Sequence, residues 1–596
     1  MSFLALGFFF QFNFHQFAER LEVVAEGGMQ LTKGEINKIR AARKEYDELV
    51  VKSSKTAPEG KAEYKTDSWI PVDRLYTPAD VEGIDYLKDI SFPGQYPFTR
   101  GLFQSGYRTR GWSRRQVAGY GTPEECNRLW KYLISQGQNA LTVAASCGFG
   151  GTKVSWDSDD DMLAGYGGKT YTKTDTLADW EELLDGIPLD KINVLLPTDM
   201  WITFAMFVAA AEKKGYERRN LSGSVAGKVR LILYPENKGN PYIDMVEFCA
   251  KEMPNWNAFY VDARNVREGG LTAVQEIAWA IAVGMDGVRE VTKRGIDVDQ
   301  FGPRIQFYID AGMDLFEEVA KFRALRRMWA KVMKEKFGAK DPRSWRFRAG
   351  VQTYGPAMTS QQPLNNLVRG AIQCLAAVLG GAQSISVQTF DEPLSTPSEF
   401  SQVLALRTAQ IIEHETGVVN VVDPLGGSYY VEWLTNKLEE EAQKMIDKLE
   451  ELGGACKTKA ASWFYQQMMA SASRYQKEID NKERIVVGVN DFVMEDDPSL
   501  ALFAPKMIQY DPSIIQRQIE RLKKIRRERD NAKVEQAKKI LYDTLKAREN
   551  IMPPLIEAVK SYITGGEITK VLMEARGEQY GPARAQPLEL ALFTYH

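Results

Sequence analysis

Between residues 96 and 490 the chain alternates eight short β-rich runs with stretches of helical periodicity, and few folds accommodate that rhythm. The runs are Asn139–Ser146, Ile192–Thr198, Val229–Pro235, Asn257–Ala263, Arg304–Asp310, Arg346–Thr353, Ser384–Phe390 and Val418–Pro424. Strands separated by helices of ten or more residues are βαβ units with parallel strands, and eight of them can close into a barrel. The expected fold is α/β: a (β/α)8 TIM barrel with an N-terminal arm and a helical C-terminal extension. Residues 1–95 read as the arm and lead-in, 96–490 as the barrel, and 491–596 as a helical docking segment.

The crossover helices follow from apolar spacings of three and four over Leu271–Gly284, Met313–Phe337, Pro363–Leu379 and Glu399–Glu415. Thr77-Pro78-Ala79-Asp80 supplies a helix start in the lead-in. A further helix is expected over Val431–Leu452, a last short strand over Ile485–Asn490, and one long charged helix over Ile514–Lys546. Two shorter helices follow, Pro553–Thr564 and Glu567–Ala575. The pair Gly426-Gly427 permits a tight turn, expected at the C-terminal rim where barrel sites are built.

The strands are odd for a barrel core, which is normally filled by Val, Ile and Leu. Ser384, Ser386 and Gln388 alternate with Ile385, Val387 and Thr389, and Gln306 and Gln352 bring polarity to two other strands. Facing inward, these side chains need a long polar ligand or water along the axis. Facing outward, they would be just as costly beneath the helices. Ahead of the first run, Arg100, Arg108, Arg110, Arg114 and Arg115 are interleaved with Phe103, Tyr107, Trp112 and Tyr120. That mixture suits a phosphate together with a flat heteroaromatic ring, and equally a solvated basic loop.

A net charge of −3 gives no reason to expect nucleic acid or an anionic membrane as partner. Five cysteines lie far apart without a CxxC pair, which argues against a zinc site or a disulfide framework. The chain has three histidines, His15, His414 and His596, so proton carriers near neutral pH are scarce. The apolar start Phe3–Phe10 has no basic flank before it or small-residue cleavage site after it, and is too short to span a bilayer. A cytoplasmic location is expected.

Ten stretches, in order and at compatible spacing over residues 65 to 575, carry a resemblance to a known family. They include Tyr96-Pro97-Phe98-Thr99-Arg100-Gly101, Arg115-Gln116-Val117-Ala118-Gly119, Trp156-Asp157-Ser158-Asp159, Phe301-Gly302-Pro303-Arg304, Asn365-Asn366-Leu367-Val368-Arg369 and Asp391-Glu392. The chain resembles the large, catalytic chain of the adenosylcobalamin-dependent acyl-CoA mutases, the methylmalonyl-CoA mutase family. The resemblance implies an isomerase in which acyl-CoA threads the barrel axis, cobalamin caps one rim, and a radical rearrangement moves a group between neighbouring carbons. It implies that Phe103, Ser105, Arg110, Ser113, Arg115, Thr142, Ser224, Arg304 and Gln306 line the substrate path. Glu268, Gln388, Glu392 and Ala145 fall where the family meets the cofactor, and Gln352 beside the acyl group.

Departures from the family pattern are equally informative. Where the family has a His beside the thioester carbonyl, this chain has Asn265, preceded by Arg264. An Asn donates a hydrogen bond but cannot act as a general acid. A ring beside the migrating group becomes Val117, and no clear counterpart remains for the carboxylate-binding Arg, though Lys228, Arg230 or Arg264 could serve. A wider pocket implies an acyl group bulkier than methylmalonyl: arylsuccinyl, alkylsuccinyl, branched or hydroxylated. No DxHxxG cobalt-ligating motif occurs, so a separate small cobalamin-binding subunit is expected, in a heterotetramer or other heteromer, with a GTPase chaperone as a possible loading partner. Two rival readings stand beside this one. The chain could be a non-catalytic subunit of a heteromeric mutase, or a cofactor-independent barrel lyase or hydrolase; the second would need a nucleophile–base pair or metal cluster that the sequence does not offer.

Overall fold

Eight parallel strands close on themselves, each followed by one helix of an outer ring. The computed structural model describes residues 31–55, 59–61, 63–146, 157–159, 172–196, 200–225, 239–498, 511 and 513–577. The strands are β1 (Ser113–Arg114 continuing as Val117–Ala118), β2 (Ala140–Val143), β3 (Asn193–Leu196) and β4 (Gly223–Val225). They continue with β5 (Trp256–Asn257 and Phe259–Asp262), β6 (Ile305–Ala311), β7 (Arg348–Thr353) and β8 (Ser384–Ser386). Two strands are broken, and each break lets one half pair to one side and the other half to the other. Ser113–Arg114 joins β8 while Val117–Ala118 joins β2, and in β5 one half meets β4 and the other β6. All these pairings are parallel, and the two broken strands join the two five-stranded halves into one ring.

The ring helices are α1 (Pro123–Ser135), α2 (Leu177–Leu183), α3 (Met200–Lys213), α4 (Pro241–Glu252), α5 (Ala273–Thr292), α6 (Leu315–Lys331), α7 (Asn365–Leu379) and α8 (Glu399–Glu415). Local chemistry starts them where strand loops end. Capping boxes at Thr122/Glu125, Thr176/Asp179 and Thr272/Gln275 satisfy the first free N–H groups of α1, α2 and α5, each cap contributing about 1 kcal/mol. Phe307 and Val261 face this ring; Phe307 meets Trp329 of α6 edge-on, with centroids 4.8 Å apart. Alternation then turns Gln306, Tyr308 and Asp310 toward the axis. Beyond the barrel, α9 (Tyr429–Glu451) lies on α5 and α6, and α10 (Thr458–Asp480) stacks Phe464 on Trp279 at 4.7 Å.

Several expectations are corrected. Val418–Pro424 is not a strand: a 3-10 turn covers Val418–Asn420, and Asp423 sits at φ 50°. The strand that completes the ring is instead β1, in the Arg-rich segment. Ile485–Asn490 forms no strand, only a bridge between Val487 and Asp491. The long charged helix is two, α11 (Ser513–Glu528) and α12 (Asn531–Ala547), because the Asp530 carboxylate caps the second by accepting from the N–H groups of Ala532 and Lys533. Helices α13 (Met552–Val559) and α14 (Gly565–Arg576) follow, α13 packing on α3 and α4. The run Val229–Pro235, with Lys228 and Arg230, lies outside the described residues. Among the described residues no helix is long and apolar enough to cross a membrane.

Candidate active site

The site is a column along the barrel axis with three levels. At the N-terminal ends of the strands a cavity of about 740 Å³ opens. Its inner wall is made by the first inward-facing strand residues, Ser113, Asn193, Asn257, Gln306, Arg348 and Ser384, with Phe103, Ser105, Arg110 and Arg304 nearer the entrance. Val421, Val422, Asp423 and Pro424 line it too, so the loop before Gly426-Gly427 lies at the N-terminal mouth and not at the C-terminal rim. Two carboxylates, Asp190 and Asp423, face eight Lys and Arg side chains. Asp423 is already engaged, accepting from Arg100 at 3.0 Å and from Arg323 at 2.5 Å. Burial and the neighbouring Arg304 and Arg346 push the Arg348 guanidinium down to about 10. Phe103 lies 5.7 Å from the Arg346 guanidinium, a flat surface beside a cation. A half-buried excess of positive charge of this kind attracts phosphate.

The second level is the polar axis itself. Register puts Gln306 beside Arg348, Tyr308 beside Gly350, and Gly350 beside Ser384. Val117 pairs with Thr142, Thr142 with Leu195, Leu195 with Ser224, and Ser224 with Asn257. The polar strand faces therefore point inward. Asn257 donates to Gln306 at 2.9 Å and Arg115 to Asn193 at 2.8 Å. Thr142 Oγ1, Ser224 Oγ, Ser384 Oγ, Tyr260 Oη and Arg115 Nε are buried without a hydrogen-bond partner among the described residues. Buried polar groups are rarely left so, and five sharing one barrel interior mark a path for a polar ligand. Arg115 has no carboxylate partner, and burial pushes its guanidinium below the usual range.

The third level is the C-terminal rim, where a short helix, Arg264–Glu268, follows β5 directly. Arg264 donates to Glu268 at 2.7 Å and to Asn265 Oδ1 at 3.0 Å, with Asp310 at 3.8 Å. Asn265 donates its side-chain amide to Asp262 at 2.7 Å. Gln352 accepts from the Tyr308 hydroxyl. Burial pushes the Glu392 carboxyl up to about 7 and raises Glu268; burial, with Glu268 and Glu276 nearby, raises Asp310 well above the carboxylate range. The backbone at Gly355 runs so close that a Cβ there would sit 2.7 Å from Glu268 and 3.1 Å from Gln388. Val117 is 42% exposed, whereas Ala145 is wholly buried in the main apolar core. Sequence reading did not single out Arg346 and Arg348 at the mouth, Tyr260 and Tyr308 in the axis, or Asp262 and Asp310 at the rim. Alternation on runs already assigned as strands was the available signal for most of them.

The methylmalonyl-CoA mutase family model matches residues 65–578. The chain belongs to the methylmalonyl-CoA mutase family. It is 39% identical over 548 residues to the 2-hydroxyisobutanoyl-CoA mutase large subunit of Aquincola tertiaricarbonis, covering 90% of this chain and 96% of that one. It is 36% identical to the methylmalonyl-CoA mutase of Rhizobium meliloti, over 90% of this chain and 75% of that enzyme. Against the mitochondrial methylmalonyl-CoA mutase of Mus musculus the identity is 35%, over 86% and 69%. Like its family, the chain is an isomerase, an adenosylcobalamin-dependent acyl-CoA mutase.

Proposed function

We propose that this chain is the large subunit of a mutase that rearranges a branched or hydroxylated acyl-CoA bulkier than methylmalonyl-CoA, with adenosylcobalamin carried by a separate small subunit. The observation that carries the reading is the polar axis joining a cationic mouth to a carboxylate rim. At the mouth, Arg304, Arg346 and Arg348 would hold the phosphates of coenzyme A, with Phe103 offering a face to its adenine. Along the axis, Ser384, Ser224, Thr142 and Gln306 would meet the amides of the pantetheine tail.

The choice of acyl group rests on charge and space. Among the described residues, Asp262, Glu268, Asp310 and Glu392 crowd the rim around one arginine, Arg264, which is already paired. A substrate carboxylate there would find no unpaired cation among the described residues, so an uncharged or hydroxylated group is favoured over a succinyl type. The exposed Val117 leaves room beside it, and a relative's name, 2-hydroxyisobutanoyl-CoA mutase large subunit, agrees with this class and with a small partner.

The rim fits the cofactor. Glu268, Glu392 and Gln388 offer acceptors and donors for ribose hydroxyls and amide side chains, and the bare backbone at Gly355 lets Glu268 and Gln388 lie against it. Bound there, adenosylcobalamin supplies radical chemistry that no side chain can. The protein's part is to anchor the tail, hold the acyl group at the rim and exclude water. The test is reconstitution: purified chain, a cobalamin-binding small subunit and adenosylcobalamin, assayed against a panel of acyl-CoA thioesters for isomer formation. Isomerisation of branched or hydroxylated substrates only in the full mixture supports the proposal, and turnover by the lone chain without cobalamin refutes it.

A further inference from the structure

Between the mouth cavity and the rim, the axis is narrowed by three side chains that form a buried cluster of their own: Leu195, Tyr260 and Tyr308. Leu195 stands on β3 and Tyr260 on β5, with β4 between them, so this contact is made across the barrel interior. The two rings lie 5.9 Å apart and tilted by 44°. Their hydroxyls differ. Tyr308 donates to Gln352, whereas the Tyr260 hydroxyl is buried, at 3% residue exposure, and has no partner among the described residues. Tyr260 pairs in register with Gln306 of the mouth wall. Asp262 and Arg264 of the rim follow it two and four residues on and, with Arg115 and Tyr308, are its neighbours, which puts it between the mouth and the rim.

Asn265 is an uncharged donor at this level too, but its amide is engaged at both ends. Its Nδ2 donates to Asp262 and its Oδ1 accepts from Arg264. Arg264 is itself committed to Glu268 and Asp310. Among the described buried groups here, Arg115 Nε, Arg264 Nε and the Tyr260 hydroxyl lack an acceptor, and the hydroxyl is the uncharged one of the three. An acyl-CoA whose tail fills the axis brings one carbonyl next to its reacting carbons, that of the thioester.

Resting on the function proposed above, we infer that Tyr260 is a substrate-binding residue whose hydroxyl donates to the thioester carbonyl, and that Tyr260 and Tyr308 form a collar through which the tail passes. Burial keeps the phenol protonated, so it binds and orients the carbonyl without transferring a proton. Asn265 then serves the rim, tying Asp262 to Arg264.

The test compares butyryl-CoA with its thioether analogue S-butyl-CoA, which lacks the carbonyl, by calorimetric titration of the full-length chain. Tyr260→Phe is expected to weaken butyryl-CoA by about tenfold, which is ~1.4 kcal/mol, and to leave S-butyl-CoA within twofold. Its thermal midpoint should not fall, because the deleted hydroxyl has no partner among the described residues. Asn265→Ala is expected to leave the ratio of the two affinities unchanged. Equal losses for both ligands in Tyr260→Phe, no loss for either, or a selective thioester loss in Asn265→Ala instead would overturn the assignment. A wild-type chain that binds neither compound would bring down the functional reading, and this inference with it.

Discussion

Replacing Arg348 by Gln should make the free protein more stable and the liganded protein weaker. Arg348 occupies the first inward position of β7, with Arg304 and Arg346 beside it, and burial with those like charges pushes its guanidinium down to about 10. At ~1.4 kcal/mol per tenfold change in proton affinity, that displacement corresponds to about 3 kcal/mol, which solvent at the mouth screens to about 1–2 kcal/mol. The folded-state value is depressed, so the penalty is present in full below pH 10 and fades as pH climbs above it toward the ordinary guanidinium range. Near neutral pH Arg348→Gln should therefore leave the thermal midpoint unchanged or raise it by a degree or two. Binding moves the other way. A charge-assisted bond to phosphate contributes about 1.5–3 kcal/mol, so the Kd for acyl-CoA should rise about 10- to 100-fold and lose part of its salt dependence. Thermal shift and calorimetry at low and high salt read both effects. A midpoint that drops together with affinity would mean Arg348 is a structural cation, and an unchanged Kd would mean the phosphates bind elsewhere.

Arg323→Met removes the fully buried cation shared by Asp423 and Glu432, leaving Asp423 to Arg100 and Glu432 without a cation partner among the described residues; a loss of about 3 kcal/mol and a clear fall in thermal midpoint are expected, and an unmoved midpoint would discount that pair. Burial, with Asp314 and Asp67 nearby, raises Glu317 to about 8. The folded state therefore holds a proton that the unfolded chain releases near 4.5, and stability should fall as pH rises from there to 8. Glu317→Gln should flatten that slope in thermal melts, and an unchanged slope would count against it. Val117→Phe should slow turnover of bulky acyl-CoA substrates far more than small ones, and equal losses would put Val117 outside the acyl pocket.

Periodicity made the barrel legible, because strands β2, β3 and β5 to β8 carry β-rich runs flanked by amphipathic helices. It failed where composition and local structure part company. Ser113–Ala118 reads as a basic loop, since its outward partners are supplied by β8 and β2 rather than by its own apolar residues. Val418–Pro424 reads as a strand, since its valines face the mouth cavity from a turn. Gly223–Val225 is short and begins with Gly, a strand that only register with β3 and β5 reveals. At the site, the alternation of Ser384, Ser386 and Gln388 with apolar neighbours was readable as a polar face, but its direction was not, because that depends on ring closure. The commitment of Asn265 to Asp262 joins residues three apart across a strand end, which no motif announces.

The account stands or falls on where the coenzyme A tail lies. An experimental structure of the chain bound to a non-isomerising acyl-CoA thioether should show phosphates among Arg304, Arg346 and Arg348, and the tail running down the axis past Tyr260 to the rim. A tail lying outside the barrel, with the Leu195–Tyr260–Tyr308 cluster still closed beneath it, would contradict it.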